Sequence, residues 1–364
     1  MAEYKILDYE KTRELCLQIF EKYGFSKPEC ETIVEILLAA DLAGIESHGI
    51  QRLVRYHNGM KMGEVDIKAK PEIVHETPVS AVVHAHKAMG QVVSKWAMEL
   101  AIEKAKKTGI GIVTVSHSNH YGIAGYYTRM AADADMMGIC MTNTEAIMVP
   151  TFGKQAMLGT NPIAVAMPAT PTPFVFDAAT TVVPRGKLEV YNKKGQAVPL
   201  GWVIDNNGAD TSDAGYVLEN IIAKSGGGIL PLGGSGELNS GYKGYGFGLI
   251  CELFTAIAAG GATSNHAVED GKNEISHCFW AIDYGIFGNK QQMKENFSAF
   301  LQELRDSYKA EGQSRVYIHG EKELESEVEK WAEGLPVNQK TFGEIQAIAA
   351  EMGVDSTPYI GTQF

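Results

Sequence analysis

Ile110-Gly-Ile-Val-Thr-Val115 leads directly into Ser116-His-Ser-Asn-His-Tyr-Gly122, and this stretch decides the fold. Its first half is apolar or β-branched apart from one glycine, which is typical of a strand buried on both faces. Its second half is polar and lies just before a helical pattern from about 124 to 134. A buried strand that passes through a polar turn into a helix indicates an α/β protein, in which functional residues gather at the carboxyl ends of strands.

The pattern extends outward from this stretch as strands in the middle of the chain and helices at both ends. Four more runs are strand-like: 137–141, 163–167, 174–176 and 278–282. Near the N-terminus, Asp8 and a capping box at Ser26-Lys-Pro-Glu29 each begin a helix, and a second capping box at Thr341-Phe-Gly-Glu344 begins the last one. We therefore expect a helical domain formed by 1–108 together with 286–364 and an α/β domain of 109–285.

Composition and charge disfavour several classes of protein. The chain of 364 residues is 45% hydrophobic and 21% charged, which is ordinary for a globular protein. Its formal net charge of −12 speaks against binding to nucleic acid or to an anionic membrane, because both need a basic surface. We expect neither a secretory signal nor a membrane-spanning helix. The five widely spaced cysteines form no C-x-x-C pair and are typical of reduced thiols in a cytoplasmic enzyme.

The common nucleotide-binding and catalytic fingerprints are absent from the sequence. Gly244-Tyr-Gly246-Phe-Gly248 has the first two glycines of the dinucleotide fingerprint, but Leu249 stands at the third position. The run from Gly236 to Lys243 is one residue too long for a P-loop and has no Ser or Thr after the lysine. There is also no H-E-x-x-H zinc motif and no nucleophile elbow. Generic motifs alone therefore indicate an α/β enzyme without specifying its chemistry.

A first group of candidate residues lies in Ser47-His-Gly-Ile-Gln-Arg-Leu-Val-Arg-Tyr56. Ser47 is placed to cap a helix, on which His48, Arg52 and Tyr56 would follow one another along one face. An imidazole beside a guanidinium offers a 2-oxo acid a proton carrier and a bidentate clamp for its carboxylate. The alternative is an exposed charged helix face on which His48 is only a capping residue.

The polar run after the first strand is the second group. Its two histidines, His117 and His120, suit proton transfer or contact with a cofactor. They could also ligate a metal, as could His84-x-His86, but no grouping of Cys, Asp or Glu completes a set of three or four ligands. A structural turn is the remaining alternative. We expect no metal site.

The glycine-rich run from Gly233 to Gly248 is the third group, and it precedes an apolar helical run over 249–259. Glycine amides and a helix N-terminus favour phosphate or carboxylate, and Lys243 would add a positive charge. The alternative is a flexible linker, which the neighbouring apolar segments and the tyrosines of the run disfavour.

These segments together resemble one family, the type-2 malate/L-lactate dehydrogenases, which also contains sulfolactate, ureidoglycolate and diketogulonate dehydrogenases and an imino-acid reductase. The resemblance runs through nearly the whole chain and rests on an ordered series of short motifs. Besides Ser47-His48-Gly49 with Arg52 and Tyr56, the series consists of Ser118-Asn-His-Tyr-Gly122, Ala124-Gly-Tyr126, Gly159-Thr-Asn-Pro162, Phe176-Asp-Ala-Ala-Thr180, Arg185-Gly-Lys187, Gly201-Trp-Val-Ile-Asp205 and Lys243-Gly-Tyr-Gly246.

The resemblance implies a non-Rossmann cofactor domain with a mixed sheet flanked by helices, a helical domain formed by both chain ends, and a homodimer. It makes His120 and His48 the acid/base candidates and Arg52 the substrate clamp, with Tyr56 and Ser47 beside it. It places the nicotinamide cofactor at Thr144, Asp177, Ala178, Ala179, Thr180, Lys243, Gly320 and Glu321. The family often has a Pro-Gly-Glu turn at the last of these positions, where this chain has His319 in place of proline.

The implied activity is hydride transfer between NAD, or alternatively NADP, and a small 2-hydroxy or 2-oxo acid, with malate as the first candidate. Lactate, sulfolactate, ureidoglycolate and a cyclic imino acid are the alternatives within the family. A metal-dependent lyase or hydrolase built on the histidine pairs and a non-catalytic binding protein are the rivals outside it. An unperturbed imidazole titrates near neutrality and would serve both directions of the reaction. Of the two histidines we favour His120, because residues at strand ends face the cofactor cleft.

Overall fold

The computed structural model describes residues 4–269 and 272–360, and its strands and helices are numbered along the chain. The strands are β1 (Tyr4–Leu7), β2 (Glu72–Glu76), β3 (Ser80–His84), β4 (Ile110–Ser118), β5 (Met137–Thr142), β6 (Ile163–Met167), β7 (Phe174–Ala178), β8 (Val203–Ile204), β9 (Asp210–Thr211), β10 (Gly228–Ile229), β11 (Val268–Glu269), β12 (Lys272–Asn273), β13 (Ile275–Ile282) and β14 (Leu335–Asn338). The helices are α1 (Tyr9–Tyr23), α2 (Lys27–Leu42), α3 (Leu53–Met62), α4 (Gly90–Thr108), α5 (Ala124–Asp133), α6 (Arg185–Lys193), α7 (Ala214–Ala223), α8 (Gly241–Glu252), α9 (Lys290–Asp306), α10 (Glu321–Glu333), α11 (Gln339–Glu351) and α12 (Thr357–Ile360).

Seven strands form a mixed sheet in the order β2-β3-β4-β13-β5-β6-β7. β3 and β4 pair in parallel, and the other neighbouring strands pair antiparallel. The predicted α/β fold with a mixed sheet flanked by helices is therefore confirmed. Because β13 lies between β4 and β5, the ends of these two strands, at Ser118 and Thr142, meet at one edge of the sheet.

Helices cover both faces of this sheet. On one face, α4 and α5 bury a core centred on Tyr127 and Phe279. Gly111 in β4 permits the close approach of α4, since a Cβ at this position would lie 1.9 Å from the carbonyl oxygen of Ala101. On the other face, α8 and a π-helical turn at Leu253–Ile257 pack near Cys278. The sheet is thus held rigidly enough to position side chains at its edge.

The two ends of the chain share a second hydrophobic core. β1 pairs antiparallel with β14, and α1, α2 and α11 bury Phe20, Leu37 and Phe342 together. The division into 1–108 with 286–364 and 109–285 stays a prediction. β2 and β3 pair into the sheet and α4 packs on it, so these elements of the first range belong to the sheet layers.

A third and smaller core lies within 182–229 and has no counterpart in the sequence analysis. Its α6 and α7 pack on the short strands β8, β9 and β10 around Leu188, Val203 and Val217. Each of these strands has two residues, which is too short to produce a recognisable alternation of apolar and polar side chains. The unit matters for function because it places the first residue of α6 beside the candidate site.

Two of the predicted helix starts are right. The side chain of Asp8 accepts a hydrogen bond from the backbone N–H of Lys11 at 2.8 Å, and the capping box of Ser26 and Glu29 begins α2.

Two other predicted starts are wrong. Asn338, not Thr341, caps α11, because its side chain accepts from the Thr341 N–H at 3.0 Å. The glycine-rich run is not a loop up to 248, since α8 begins at Gly241. A Cβ at Gly244 would lie 2.3 Å from the backbone nitrogen of Leu232. Glycine therefore serves here to let a helix pack against backbone, which a sequence pattern does not distinguish from a flexible loop.

Candidate active site

A cavity of about 430 Å³, here called the first cavity, opens at the edge where β4 and β5 end. Its walls include Ser47, His48, Arg52, His120 and Thr144. They come from three separate places: the segment before α3, the turn after β4 and the loop after β5. The structure thus brings these residues together in one site, and the roles given to them stay predictions.

The two histidine rings lie beside each other in this cavity. Their centroids are 5.4 Å apart and their planes differ by 27°. Nδ1 of His48 lies 2.9 Å from the hydroxyl of Ser47, and Nδ1 of His120 lies 2.9 Å from the hydroxyl of buried Tyr56. Within the described residues neither Nε2 has a hydrogen-bond partner, so each ring keeps one nitrogen available for a ligand.

The segment that carries His48 and Arg52 is not the single helix that its spacing predicted. It consists of two 3₁₀ turns, Glu46–His48 and Ile50–Arg52, and α3 begins only at Leu53. Ser47 does not cap a helix, and its hydroxyl bonds His48 instead.

The reason is a buried carboxylate. Asp41 accepts a hydrogen bond from the Ile50 N–H at 2.7 Å, and a Cβ at Gly49 would lie 1.9 Å from its Oδ1, so the chain turns tightly around Asp41.

Arg52 is anchored through one nitrogen and leaves the others free. Its Nε donates a hydrogen bond to the carbonyl oxygen of Ser47 at 2.5 Å. The two terminal nitrogens make no hydrogen bond within the part of the chain that the structure describes. A guanidinium held in this way presents its outer N–H groups as a fork, which is the geometry that binds a carboxylate through both oxygens.

Burial and neighbouring cations keep both imidazoles neutral. Burial, and then Arg52 and Arg55, lowers the pKa of His48 to about 4. Burial, and then Arg55, holds the pKa of His120 well below its usual value. The pKa of both rings is therefore lower than that of the unperturbed imidazole considered in the sequence analysis. A bound carboxylate would add negative charge beside the arginines and so favour protonation of the rings.

Two arginines of the first cavity received no role from the sequence. Arg55 has no ion-pair partner among the residues that the structure describes, and it lines the cavity beside Arg52. Arg185 begins α6 and lies 3.3 Å from Glu145 and 3.2 Å from Glu189. The only signal for Arg185 was its place in the Arg-Gly-Lys motif, because the small unit around α6 had not been recognised.

Buried Glu252, at the end of α8, fixes the loops around the first cavity. Its carboxylate accepts hydrogen bonds from the side chains of Asn161 at 2.8 Å, Asn143 at 3.4 Å and Ser264. Asn161 also accepts from the backbone N–H of Thr144 at 3.2 Å and has a left-handed backbone, with φ of 37°. Sequence reasoning missed this carboxylate because it lies inside an apolar helical run.

His277 in β13 supports the turn that carries His120 and was also missed. Its Nε2 lies 3.1 Å from the carbonyl oxygen of Asn119, and its Nδ1 lies 2.8 Å from the hydroxyl of Thr142. A carbonyl oxygen only accepts, so Nε2 carries the proton and Nδ1 accepts from Thr142. The ring also stacks on Tyr121 at 4.5 Å, and burial lowers the pKa of His277 to about 3. A neutral imidazole thus fixes the turn beside the cavity.

Several of the predicted cofactor positions lie around a second cavity of about 300 Å³. Asp177 and Gly320 line it, together with Gly125 at the start of α5. Asp177 accepts a hydrogen bond from the Gly125 N–H at 2.7 Å. A Cβ at Gly320 would lie 3.2 Å from the backbone nitrogen of Val175, and its φ of 98° favours glycine.

The segment 177–180 connects the two cavities. It begins at Asp177 in the second cavity and ends at Thr180, whose N–H donates to the carbonyl oxygen of Thr160 at 2.8 Å. Thr160 lines the first cavity, and Ala178 and Ala179 lie between the two ends. Gly122 of the first cavity and Ile123 of the second are also consecutive, so the cavities adjoin along the chain.

Two of the predicted cofactor residues lie elsewhere. Lys243 is exposed in the first turn of α8 and lines neither cavity. Glu321 is engaged by Arg305 at 2.7 Å and by Arg315 at 3.1 Å, and its carboxylate accepts from the Ile318 N–H. Its visible function is to hold the turn that precedes α10.

The other histidines are separate from the pair in the first cavity. His117 stacks on His84 with centroids 4.1 Å apart, and its Nε2 lies 3.8 Å from Glu274. His84 in turn packs on His86, which lies 3.0 Å from Glu72. No group of three or more His, Cys, Asp or Glu side chains in residues 4–269 and 272–360 is arranged to hold a metal ion.

Comparison with known proteins identifies the family. The family model described as malate/L-lactate dehydrogenase matches residues 7–346. The chain belongs to the malate/L-lactate dehydrogenase family. A malate dehydrogenase of Pyrococcus abyssi is 42% identical over 93% of this chain and 92% of its own length. An L-sulfolactate dehydrogenase of Methanocaldococcus jannaschii is 36% identical over 98% and 99% of the two chains. The crystal structure of malate dehydrogenase from Entamoeba histolytica superposes with a TM-score of 0.93, at 33% identity, and covers 97% of this chain and 99% of that one.

Membership confirms the resemblance stated from the sequence motifs, and the chain is a dehydrogenase of the hydroxy-acid type. The family implies a nicotinamide cofactor. The residues present fit one, because the first cavity holds imidazoles and a free guanidinium and the second has apolar walls that suit a flat heterocycle. No helix in the described residues is long and apolar enough to cross a bilayer.

Proposed function

We propose that the chain catalyses NAD-dependent interconversion of malate and oxaloacetate in the first cavity. One observation carries the proposal: the free fork of Arg52 and the free Nε2 atoms of His48 and His120 face the same enclosed space. A carboxylate on Arg52 would place the neighbouring C2 oxygen of a 2-oxo acid beside the imidazoles. This combination offers recognition of the acid and a proton for its reduction.

His120 is the group to which we assign proton transfer. As an imidazolium it would donate Nδ1–H to the oxygen of Tyr56 and Nε2–H to the substrate oxygen. After the transfer, the bond to Tyr56 keeps the remaining proton on Nδ1, so Nε2 stays the basic nitrogen for the reverse reaction. Burial raises the pKa of Tyr56 to about 12, which keeps that hydroxyl protonated. His48, held by Ser47, would position the substrate.

A reduced nicotinamide, when bound, would supply a hydride for C2 of the substrate, and His120 would supply the proton for the C2 oxygen. Residues from Asp177 to Thr180 and Thr144 would hold the cofactor, with Gly320 at its far end. Lys243 and Glu321 are proposed as cofactor contacts from the family pattern alone.

Malate is the substrate we favour because of an additional cation in the cavity. Its second carboxylate would find Arg55, which has no ion-pair partner among the described residues and is not needed for lactate. The names of the relatives from Pyrococcus abyssi and Entamoeba histolytica agree with this choice. Sulfolactate is the second candidate, since a sulfonate would suit the same arginines.

We further propose a cytoplasmic homodimer. The five cysteines are free and buried, which suits a reducing compartment. The outer face of α8 and the following π-helical turn exposes a row of large apolar side chains: Tyr242, Phe247, Leu249, Leu253 and Ile257. Leu253 and Ile257 are 53% and 60% exposed, and such contiguous apolar patches mark interfaces. Light scattering should give twice the mass of one chain, and Leu253→Glu should give a single chain.

The test of the activity is a substrate panel. Oxidation of NADH would be followed at 340 nm with oxaloacetate, pyruvate and 3-sulfopyruvate. We expect kcat/KM to be highest with oxaloacetate, by about tenfold or more over pyruvate, because the monoacid has no second carboxylate to make the charged contact. Failure to oxidise NADH or NADPH with any of the three acids would reject the proposal.

A further inference from the structure

The second cavity has apolar walls and an acidic rim. Ala39, Ala43, Ile123, Pro173 and Leu324 give it apolar surfaces that suit a flat heterocycle. Its charged lining consists of three carboxylates, those of Asp177, Glu323 and Glu327, and two cations, those of Arg129 and Lys322.

Neither cation is free to hold an anion inside this cavity. Arg129 is paired with Glu327 at 2.7 Å, which neutralises both. The Lys322 ammonium is exposed and lies 4.5 Å from the centre of the Tyr317 ring. Glu323, by contrast, has no hydrogen-bond or ion-pair partner within the described residues. Apart from the Arg129–Glu327 pair, the charged groups that line the cavity are the carboxylates of Asp177 and Glu323 and the exposed ammonium of Lys322. The net charge of these three groups is negative.

We propose that the second cavity receives the adenosine end of the cofactor and that Asp177 and Glu323 together select NAD over NADP. This inference rests on the proposed function, because a dinucleotide whose nicotinamide lies beside His120 must place its other end beyond the segment 177–180. The adenine would pack against the apolar walls. The ribose would face the carboxylate rim.

The selection follows from the chemistry at the ribose. In NAD the ribose has two hydroxyl groups, which donate hydrogen bonds to carboxylate oxygens. In NADP the 2′-hydroxyl is replaced by a phosphate, which has about −1.5 to −2 charges at neutral pH and no comparable donor. Placing it beside Asp177 and Glu323 brings like charges together at the rim of the cavity, where both carboxylates are exposed and water screens part of the repulsion.

The electrostatics of Asp177 agree with this assignment. Asp177 lines the cavity and is exposed, and its carboxylate accepts the hydrogen bond of the Gly125 N–H. Burial raises the pKa of Asp177 to about 6, and Glu323 acts in the same direction.

The experiment measures dinucleotide binding in the absence of substrate. NADH and NADPH would be titrated into the full chain, and their fluorescence would give a Kd for each. We expect the unaltered protein to bind NADH at least about tenfold more tightly than NADPH. Glu323→Lys should strengthen NADPH binding by about tenfold or more, and it should weaken NADH binding because the ribose hydroxyls lose one charged acceptor. The matched control is Glu329→Lys, which makes the same charge change on an exposed residue of α10 outside the cavity.

The possible binding results distinguish failure of the NAD-selection proposal from failure of the proposed dehydrogenase function. Equal affinities of the unaltered protein for NADH and NADPH, or the same affinity ratio in Glu323→Lys, would overturn the role of the acidic rim while leaving the dehydrogenase intact. If Glu329→Lys strengthens NADPH binding as much as Glu323→Lys does, the gain comes from the overall charge of the protein and not from the cavity. That result would overturn the inference. If neither dinucleotide binds to the folded protein, the proposed function falls as well.

Discussion

Replacement of Arg52 by lysine is the sharpest test of the proposal that Arg52 binds the substrate carboxylate in the first cavity. The change keeps a positive charge at this position but removes the planar fork. Arg52 holds the carbonyl oxygen of Ser47 through Nε at 2.5 Å and has two outer nitrogens left for a ligand. Lysine has a single side-chain nitrogen, so the hydrogen bond to the Ser47 carbonyl oxygen and the contact with the substrate carboxylate would compete for it.

The size of the effect follows from the hydrogen bonds that lysine cannot make. The variant forgoes at least one of two charged hydrogen bonds to the substrate carboxylate, each worth about 1.5–3 kcal/mol. Since about 1.4 kcal/mol corresponds to a factor of ten, we expect kcat/KM for oxaloacetate to fall roughly tenfold to hundredfold or more. The Kd for NADH should barely change, because Arg52 lies in the first cavity and not along 177–180.

The assay is steady-state reduction of oxaloacetate, with the NADH Kd measured separately. Arg55→Lys assayed with pyruvate is the matched control, since Arg55 lines the same cavity but pyruvate has no second carboxylate for it to bind. We expect the control to lose less activity than Arg52→Lys does. A value of kcat/KM within about twofold of the unaltered enzyme for Arg52→Lys would refute the clamp, because removal of a charged hydrogen bond costs more than that.

Four further predictions concern the histidines and their surroundings. Tyr56→Phe removes the hydroxyl that bonds His120 Nδ1, and kcat should fall about fivefold to tenfold, the worth of one hydrogen bond, with NADH binding unchanged. His120→Ala should lower kcat about a hundredfold or more, whereas His48→Ala should act mainly on KM; the reverse pattern would exchange their roles. Since the pKa of both rings is depressed, the free enzyme is mostly unprotonated, and log kcat/KM for reduction should fall by about one per pH unit between about pH 6 and 8. A plateau below about pH 6.5 would instead indicate an ordinary imidazole. Reduction should also persist in EDTA, and loss of activity restored by zinc would revive the metal hypothesis.

The buried strand that leads into Ser116–Gly122, together with the family motif that contains His48 and Arg52, was sufficient to name residues that line the first cavity. The buried strand has an unbroken apolar run, and its polar end can only lie at a sheet edge. The local structure around His48 was not predictable in the same way. It depends on Asp41, whose side chain accepts a hydrogen bond from the Ile50 N–H and so fixes the turn of the backbone there. A contact of this kind joins separate segments and produces no periodic pattern in the sequence.

The second cavity shows the same limit. Asp177 and Gly320 were named from the family pattern, but nothing in their spacing indicates that they face each other across a hollow. Glu323 gave no signal either, because an acidic residue on a helix rich in glutamate is usually a solvated one. Residues brought together by tertiary packing become recognisable only once the elements that carry them are placed.

The helix α8 has two separate functions, and an engineered variant of this enzyme would have to preserve both. The carboxylate of Glu252 accepts hydrogen bonds from the side chains of Asn161 and Asn143, next to the first cavity. The outer side of the same helix is apolar. Redesign for solubility or immobilisation would therefore have to leave the helix axis undisturbed and also spare Leu253, because that side chain belongs to the proposed dimer interface. A small shift of that axis would reach Thr144 through Asn161 and change turnover with no substitution near the substrate. Surface redesign of α8 should accordingly be screened by kinetics as well as by yield.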